Sequence, residues 1–239
     1  MIEIICVTYN HGEKLKCFIN SIKAQSDSRW LLHIIHDGKD DVFHSLKDDL
    51  EKHGYLNDKV ILSATEKRYN DFGHSLRDYG LKNPIGDSEY IVITNGDNYY
   101  APTLIETLHS KFPAGKVDPQ HEPIAQPAVE RIERGTDVIG IELTLANEDR
   151  PDMIMWDLIS HHSHMNWNFD RNEPYGVLDT ELKEACVDMG SVAMRTEIAQ
   201  KVGFNSRVFA GDWHYFNECY KSLEKPIVLK IPQILLVHN

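Results

Sequence analysis

Several things are missing from this chain of 239 residues. No apolar run approaches the roughly 18 residues needed to cross a bilayer, so no transmembrane helix is expected. The opening stretch, MIEIICVTYN, has neither a basic start nor a long apolar centre, so it is not expected to be a signal peptide. Paired cysteines are missing too. Cys6, Cys17, Cys186 and Cys219 are far apart and form no CxxC pair, which fits inert thiols in a reducing compartment. A cytoplasmic protein is expected, with a loose hold on the inner membrane face left open. Basic excess is also lacking: 25 Lys and Arg face 37 Asp and Glu, a net charge of −12. A nucleic-acid binder needs a basic surface to displace counterions, so no nucleic-acid partner is expected. An anionic small substrate stays compatible, because a bound metal reverses the local sign.

The usual phosphate-cradling loops are missing as well. No GxGxxG follows the first apolar run, no GxxxxGK[ST] occurs, and no GxSxG elbow occurs. The remaining way to hold phosphates is a divalent ion such as Mg²⁺ or Mn²⁺, bound by one or two carboxylates together with the phosphates themselves.

Apolar residues make up 41% of the chain and charged residues 26%, enough for a real core and too few charges for disorder. Ile2 to Val7 reads as a buried strand, and Leu15, Phe18, Ile19 and Ile22 then recur at helical spacing. Trp30 to Ile35 is a second strand, followed by an amphipathic helix over Phe43 to His53. Val60 to Leu62 is a third strand, and NDFGHSLRDYGLKN a third helix, stopped near Pro84. Tyr90 to Thr94 is a fourth strand, and Thr103 to His109 opens another helix. Such alternation predicts an α/β domain with a mostly parallel sheet flanked by helices. Ligands of these sheets bind outside the carboxyl ends of the strands. Here those ends carry Thr8-Tyr9-Asn10, Asp37-Gly38 and Asn95-Gly96-Asp97-Asn98. Residues 111–135 read as a loop with a short helix, Asp137 to Leu143 as a strand, and residues 147–184 as irregular, with Trp156, Trp167 and Tyr175 interspersed. MGSVAMRTEIAQKVG is expected to be a turn and a helix ending at Gly203, GDWHYFNECYKSL a helix, and PIVLKIPQILLVHN a final strand or two. The histidines of SHHSHMNWN lack a partner cluster of known zinc geometry, so a polar site loop with stacking tryptophans, or a plain surface loop, fits better.

In order, the chain reads CVTYN, IIHDGKD, GHSLRDYGL, DSEYIVITNGDNYYAPTLIETL, GSVAMRTEIAQKVGF and AGDWHYFNECY. This series resembles family-two glycosyltransferases of the GT-A fold, well over residues 1–110 and moderately over 186–220. The resemblance implies a nucleotide-sugar donor, with a uridine one favoured, and a saccharide or lipid-linked acceptor in polysaccharide or glycoconjugate assembly. It implies that Thr8 and Tyr9 line the base and that Asp37 accepts from a ring nitrogen. Arg77 lies near the donor. Asn95, Gly96 and Asp97 stand at the DxD position. Asp97 then ligates Mn²⁺ or Mg²⁺, His238 is a C-terminal ligand, and Asp212 is the general base of an inverting transfer. Gly190, Ser191 and Trp213 fall on the acceptor side. Residues 1–110 would form the donor half of one domain, and 111–239 the acceptor half. The chain departs from the family pattern at Asn95 and Asn98, which stand where carboxylates are usual, and at Asp78 and Gly211.

Plainer roles remain beside these. Asp97 and Asp37 suit turns, Asp212 suits a helix N-cap, and Arg77 suits a solvated face or an ion pair. His238 suits an ordinary histidine, and Trp213 a core tryptophan. A sugar nucleotidyltransferase is a second reading, without the basic glycine-rich loop it would need. A non-catalytic sugar-nucleotide or glycan-binding module is a third, which Asn95 and Asn98 favour.

Overall fold

A computed structural model describes residues 1–112, 150–161, 174–208 and 210–238. The expected strand at Asp137 to Leu143 lies outside the described residues. So does all of SHHSHMNWN beyond His161, including Trp167. No helix among the described residues is long and apolar enough to cross a membrane.

The first half follows the alternation in the sequence. The strands are β1 (Ile2–Thr8), β2 (Trp30–His36), β3 (Val60–Ala64) and β4 (Tyr90–Asn95), lying parallel in the order β3-β2-β1-β4. Between them run α1 (Glu13–Lys23), α2 (Asp41–Lys52) and α3 (His74–Lys82). Strand side chains alternate between faces. Ile2, Ile4 and Cys6 therefore enter one core cluster with Leu15, Phe18 and Ile22 of α1, while Ile5 and Val7 enter a second with Leu76 and Leu81 of α3. Both faces of β1 and β4 are covered, which is why those strands read as mostly apolar runs, broken in β1 by the buried Glu3. After the short β5 (Tyr99–Tyr100), α4 (Leu104–His109) packs Leu104, Ile105 and Leu108 into the first cluster.

The second half extends the same sheet with mixed direction. It contains β6 (Met153–His161), β7 (Tyr175–Leu178), β8 (Val192–Arg195), α5 (Thr196–Val202), α6 (Gly211–Lys221) and β9 (Val228–His238). β8 runs antiparallel to β4 and β6 antiparallel to β8. β9 lies parallel to β6, β5 closes the far edge antiparallel to β9, and β7 pairs antiparallel with β6. Among the described residues the sheet thus has nine strands. Pro232 cannot donate a ladder hydrogen bond, and it falls where the β6–β9 register jumps from Trp156↔Ile231 to Asp157↔Ile234.

Two expectations need correction here. Residues 147–184 are not irregular throughout, because β6 and β7 lie within them, and Trp156 is a core side chain rather than a loop one. β6 is buried on both faces in its first half, so its pattern lacks the alternation of a half-exposed strand. The segment from Met189 is a 3₁₀ turn (Met189–Ser191), then β8, then α5. A four-residue strand buried between β4 and β6 has no periodicity of its own.

Candidate functional site

The ends of β1, β2 and β4 stand side by side because Thr8 registers with His36 and Val7 with Asn95. The chain then crosses between them: the Asp37 N–H donates to Thr8 O at 3.1 Å and the Gly96 N–H to Val7 O at 3.1 Å. Above these ends lies a cavity of about 640 Å³. Thr8, Tyr9, Asp37, Arg77, Asn95 and Asp97 line it from the first half of the chain. Asp212, Trp213 and His238 line it from the second half. Gly96, Gly190 and Ser191 do not. A Cβ on Gly96 would lie 2.9 Å from His11 Nδ1 and 3.0 Å from Leu15 Cδ1, so only glycine lets β4 pass this close to α1. Gly190 and Ser191 are buried in the 3₁₀ turn, whose Gly190 carbonyl accepts from Tyr100 Oη at 3.0 Å.

Asp37 is already occupied. Its two oxygens accept from the backbone N–H groups of Tyr69 (2.7 Å) and Asn70 (2.9 Å). The carboxylate therefore holds the loop after β3 over the cavity, with spare lone pairs on the same oxygens. The loop comes close: a Cβ on Gly38, where φ is +96°, would meet Arg68 N at 3.0 Å. It carries the Arg68 guanidinium over the Tyr9 ring, 3.7 Å from its centroid, and His36 lies on Tyr9 with ring centroids 5.3 Å apart. Asn70 and Phe72 are held at positive φ, a state asparagine tolerates but which is costly for Phe72, and Phe72 stands 72% exposed beside the cavity. Neither Arg68 nor this loop had a signal in the sequence beyond the basic pair Lys67-Arg68 near a turn.

The β4 end splits its residues by role. Asn95 Oδ1 accepts from Arg77 Nη2 at 3.1 Å. Asn98 is buried and donates to Thr94 Oγ1 at 3.1 Å, so it serves the turn itself. Asp97 faces the cavity beside His11, whose imidazole is pushed toward the neutral form mainly by burial, against the pull of Asp97. His11 Nδ1 is buried and has no hydrogen-bond partner.

Asp212 does not cap α6. The residue before that helix is Ala210, and no side chain caps it. Asp212 Oδ2 instead accepts from the Met189 N–H at 3.2 Å, tying α6 to the 3₁₀ turn. Burial raises its pKa, the Arg77 charge opposes that rise and the nearby Asp188 adds to it, which leaves it at about 6. Asp188, which the sequence did not single out, accepts from the Gly190 N–H at 2.8 Å and faces His238 Nε2 at 3.6 Å. His238 Nδ1 meets Ser160 Oγ at 2.9 Å.

The donor set suits a hard divalent ion that arrives with its ligand. Asp97 offers an oxygen, and the orphaned Nδ1 of His11 stands beside it. Among the described residues no three His, Cys, Asp or Glu side chains converge as a metal site. Mg²⁺ and Mn²⁺ commonly take one or two protein carboxylates and complete their shell with substrate phosphates. The wall argues for such an ion. Asp37, Asp71, Asp97, Glu184, Asp188 and Asp212 line the cavity against only Arg68 and Arg77, a hostile field for a bare polyanion.

Structures of known proteins share this architecture. Over 99% of the chain, Staphylococcus aureus TarS 1–349 in complex with UDP-GlcNAc superposes with a TM-score of 0.63 at 13% identity, over 58% of that chain. The mannosyltransferase PcManGT from Pyrobaculum calidifontis, in complex with GDP-Man and Mn²⁺, gives a TM-score of 0.60 at 14% identity, over 99% of this chain and 56% of that one. The chain thus spans less than two thirds of the length of these neighbours, and at such identity the likeness is one of fold. No curated protein matches the sequence significantly. The family model described as Glycosyl transferase family 2 matches residues 3–202, most of the chain and all four parallel strands with their polar ends. The protein belongs to glycosyl transferase family 2, and its sheet and helices are those of a GT-A fold.

Proposed function

We propose that the protein transfers a sugar from a nucleotide donor, a uridine diphosphate one in the first instance, to a hydroxyl of a saccharide or lipid-linked acceptor, with inversion. The observation that carries this reading is the state of Asp212. Its carboxylate is part-buried at the cavity, fixed by one backbone N–H, and has a pKa near 6. A base is most effective when its pKa lies near the working pH, so this carboxylate is ionised at neutrality yet basic enough to accept a proton.

Residues 1–110 supply the donor half. Tyr9 and Arg68 present flat faces to a base, and Asp37 offers its remaining lone pairs to a ring N–H. Asn95 and Arg77 face the diphosphate from the β4 end. A divalent ion at Asp97 and His11, with His238 within reach of the same cavity, would offset charge on the departing nucleoside diphosphate. Residues 111–239 supply the acceptor half. Asp212 takes the proton of the acceptor hydroxyl as its oxygen attacks the anomeric carbon on the face opposite the leaving group. Trp213 offers a ring to the acceptor sugar.

The test is nucleoside diphosphate release from a panel of sugar nucleotides, with Mn²⁺ and with EDTA, for the wild type and Asp97→Ala. Release that needs both the metal and Asp97 is expected, and it names the donor. No release from any donor, with no calorimetric binding of UDP, GDP or dTDP, rejects the reading in favour of a glycan-binding module.

A further inference from the structure

The charges around the cavity are not evenly mixed. Among the described residues its two cations, Arg68 and Arg77, come from the first half of the chain. The second half contributes Glu184, Asp188 and Asp212, and no Lys or Arg. Two first-half carboxylates are already engaged, Asp37 by the N–H groups of Tyr69 and Asn70, and Asp71 by Ser75 and the Arg207 guanidinium. Within the second-half wall Asp188 is fixed but only half used. Its side chain is 12% exposed. It opens the 3₁₀ turn in a capping box with Ser191, and its Oδ1 accepts from the Gly190 N–H at 2.8 Å. Its Oδ2 faces His238 Nε2 at 3.6 Å, which is beyond a hydrogen bond. One oxygen is thus bound to the turn, and the other is left for something in the cavity. Asp212 hangs on the neighbouring N–H, that of Met189, so both carboxylates are set by one turn. That turn is held from behind, where Tyr100 Oη donates to Gly190 O at 3.0 Å.

We propose that Asp188 selects the transferred sugar: its open oxygen accepts from hydroxyls of a neutral sugar and repels an acidic one, so the enzyme uses neutral donors and refuses uronic acid donors. This rests on the donor reading above, in which the sugar lies between the diphosphate and Asp212. Asp188 stands at that place, beside His238 on one side and near enough to Asp212 on the other for its charge to be felt there. An ionised carboxylate only accepts hydrogen bonds, so sugar hydroxyls suit it and a second carboxylate does not. Hydrogen bonds to such a charged acceptor are also the stronger kind. Like charges set against each other in a binding site discriminate strongly between ligands. Glu184 adds to the same field from the turn before, where Ala185 is held at a φ of 60°.

Calorimetry with Mn²⁺ tests this, titrating UDP, UDP-glucose and UDP-glucuronic acid, whose sugars differ only at carbon six. If GDP binds and UDP does not, GDP-mannose and GDP-mannuronic acid take their place. The wild type should bind the acidic sugar nucleotide at least about tenfold more weakly than the neutral one. Asp188→Asn keeps an oxygen for the Gly190 N–H, so binding of the nucleoside diphosphate itself should not change. The acidic sugar nucleotide should gain at least about tenfold in that variant, and the difference between the two sugars should close. Should Asp188→Asn fail to fold, Asp188→Ser, which also suits a helix start, takes its place. Equal binding of both sugar nucleotides by the wild type overturns the proposal. So does discrimination that survives in the variant. Weaker binding of the nucleoside diphosphate itself in the variant assigns Asp188 to the metal ion and overturns the proposal too. All three outcomes leave the donor reading standing. No binding of UDP or GDP with Mn²⁺ overturns that reading, and the proposal with it.

Discussion

Replacing Asp212 by asparagine should abolish transfer and stabilise the protein at once. The catalytic side is simple: a positioned general base contributes about 10² to 10⁴ in rate, or roughly 3 to 5 kcal/mol. The stability side follows from burial. Asp212 has its pKa raised from 3.8 to about 6, so the folded state prefers the protonated form. At pH 5 and above the unfolded chain has given up that proton. Holding the ion folded is then a cost that grows as pH rises from 3.8 and levels off above 6. The shift of about 2 units is worth at most about 3 kcal/mol at pH 8. Asparagine keeps an oxygen for the Met189 N–H, so the variant loses no contact there. In a protein of this size each kcal/mol moves Tm by about 2 to 4 °C. Asp212→Asn should therefore melt several degrees above the wild type at pH 8 and level with it at pH 4. Nucleoside diphosphate binding should persist while transfer falls at least about a hundredfold. In the wild type kcat/KM should rise with pH through about 6, and in the variant that limb should vanish. Retained transfer would remove Asp212 from the base role. A variant that melts lower at pH 8 would show that the carboxylate stabilises the fold, contrary to the burial argument.

Two further outcomes are expected. Glu3 is 0% exposed on β1 and has its pKa raised by burial from 4.5 to about 7, so its folded state keeps the proton and stability falls as pH rises across that interval. Glu3→Gln should raise Tm at pH 8, by up to about 3 kcal/mol in stability, and leave it unchanged at pH 4; equal melting at pH 8 would contradict this. Gly96→Ala places a Cβ 2.9 Å from His11 Nδ1 and 3.1 Å from Thr8 Oγ1. Overpacking there should cost about 1 to 3 kcal/mol and weaken Mn²⁺-dependent donor binding, read by thermal melting and calorimetry; a fully stable, fully binding variant would show that the β4 end yields easily.

The first half of the chain was legible in the sequence because local rules were enough. Ile2, Ile4 and Cys6 against Ile5 and Val7 divide between two covered faces, and a strand covered on both faces is a run of apolar residues. Once β1, β2 and β4 are strands, parallel connection alone sets Tyr9, Asp37 and Asp97 at one edge. The second half obeyed no local rule. β8 is four residues long and belongs to the sheet only through β4 and β6, which are remote from it in sequence. β6 could not be told from an apolar loop by period.

Residue identity proved easier to read than residue partnership. Asp37 was legible as a strand-end acid, but the backbone groups it holds come from more than 30 positions further along the chain. Asp212 was legible as a helix-start acid, and a cap was a fair reading, yet its bond goes to Met189 in a turn that packs beneath it. The case of Arg77 shows why this matters for function. An arginine three residues after a helix begins is most simply a surface or paired charge, and only the family resemblance of GHSLRDYGL set it near a donor. The fold buries it, gives it a carbonyl, an imidazole and an amide, and withholds every carboxylate within hydrogen-bond reach. Around the same cavity the fold leaves Asp97, Asp188 and Asp212, with Asp212 pushed toward protonation. Stability alone would have paired these charges, since each is costly as it stands. A cavity that holds a cation apart from its anions fits the ligand proposed for it, a polyphosphate together with its metal ion.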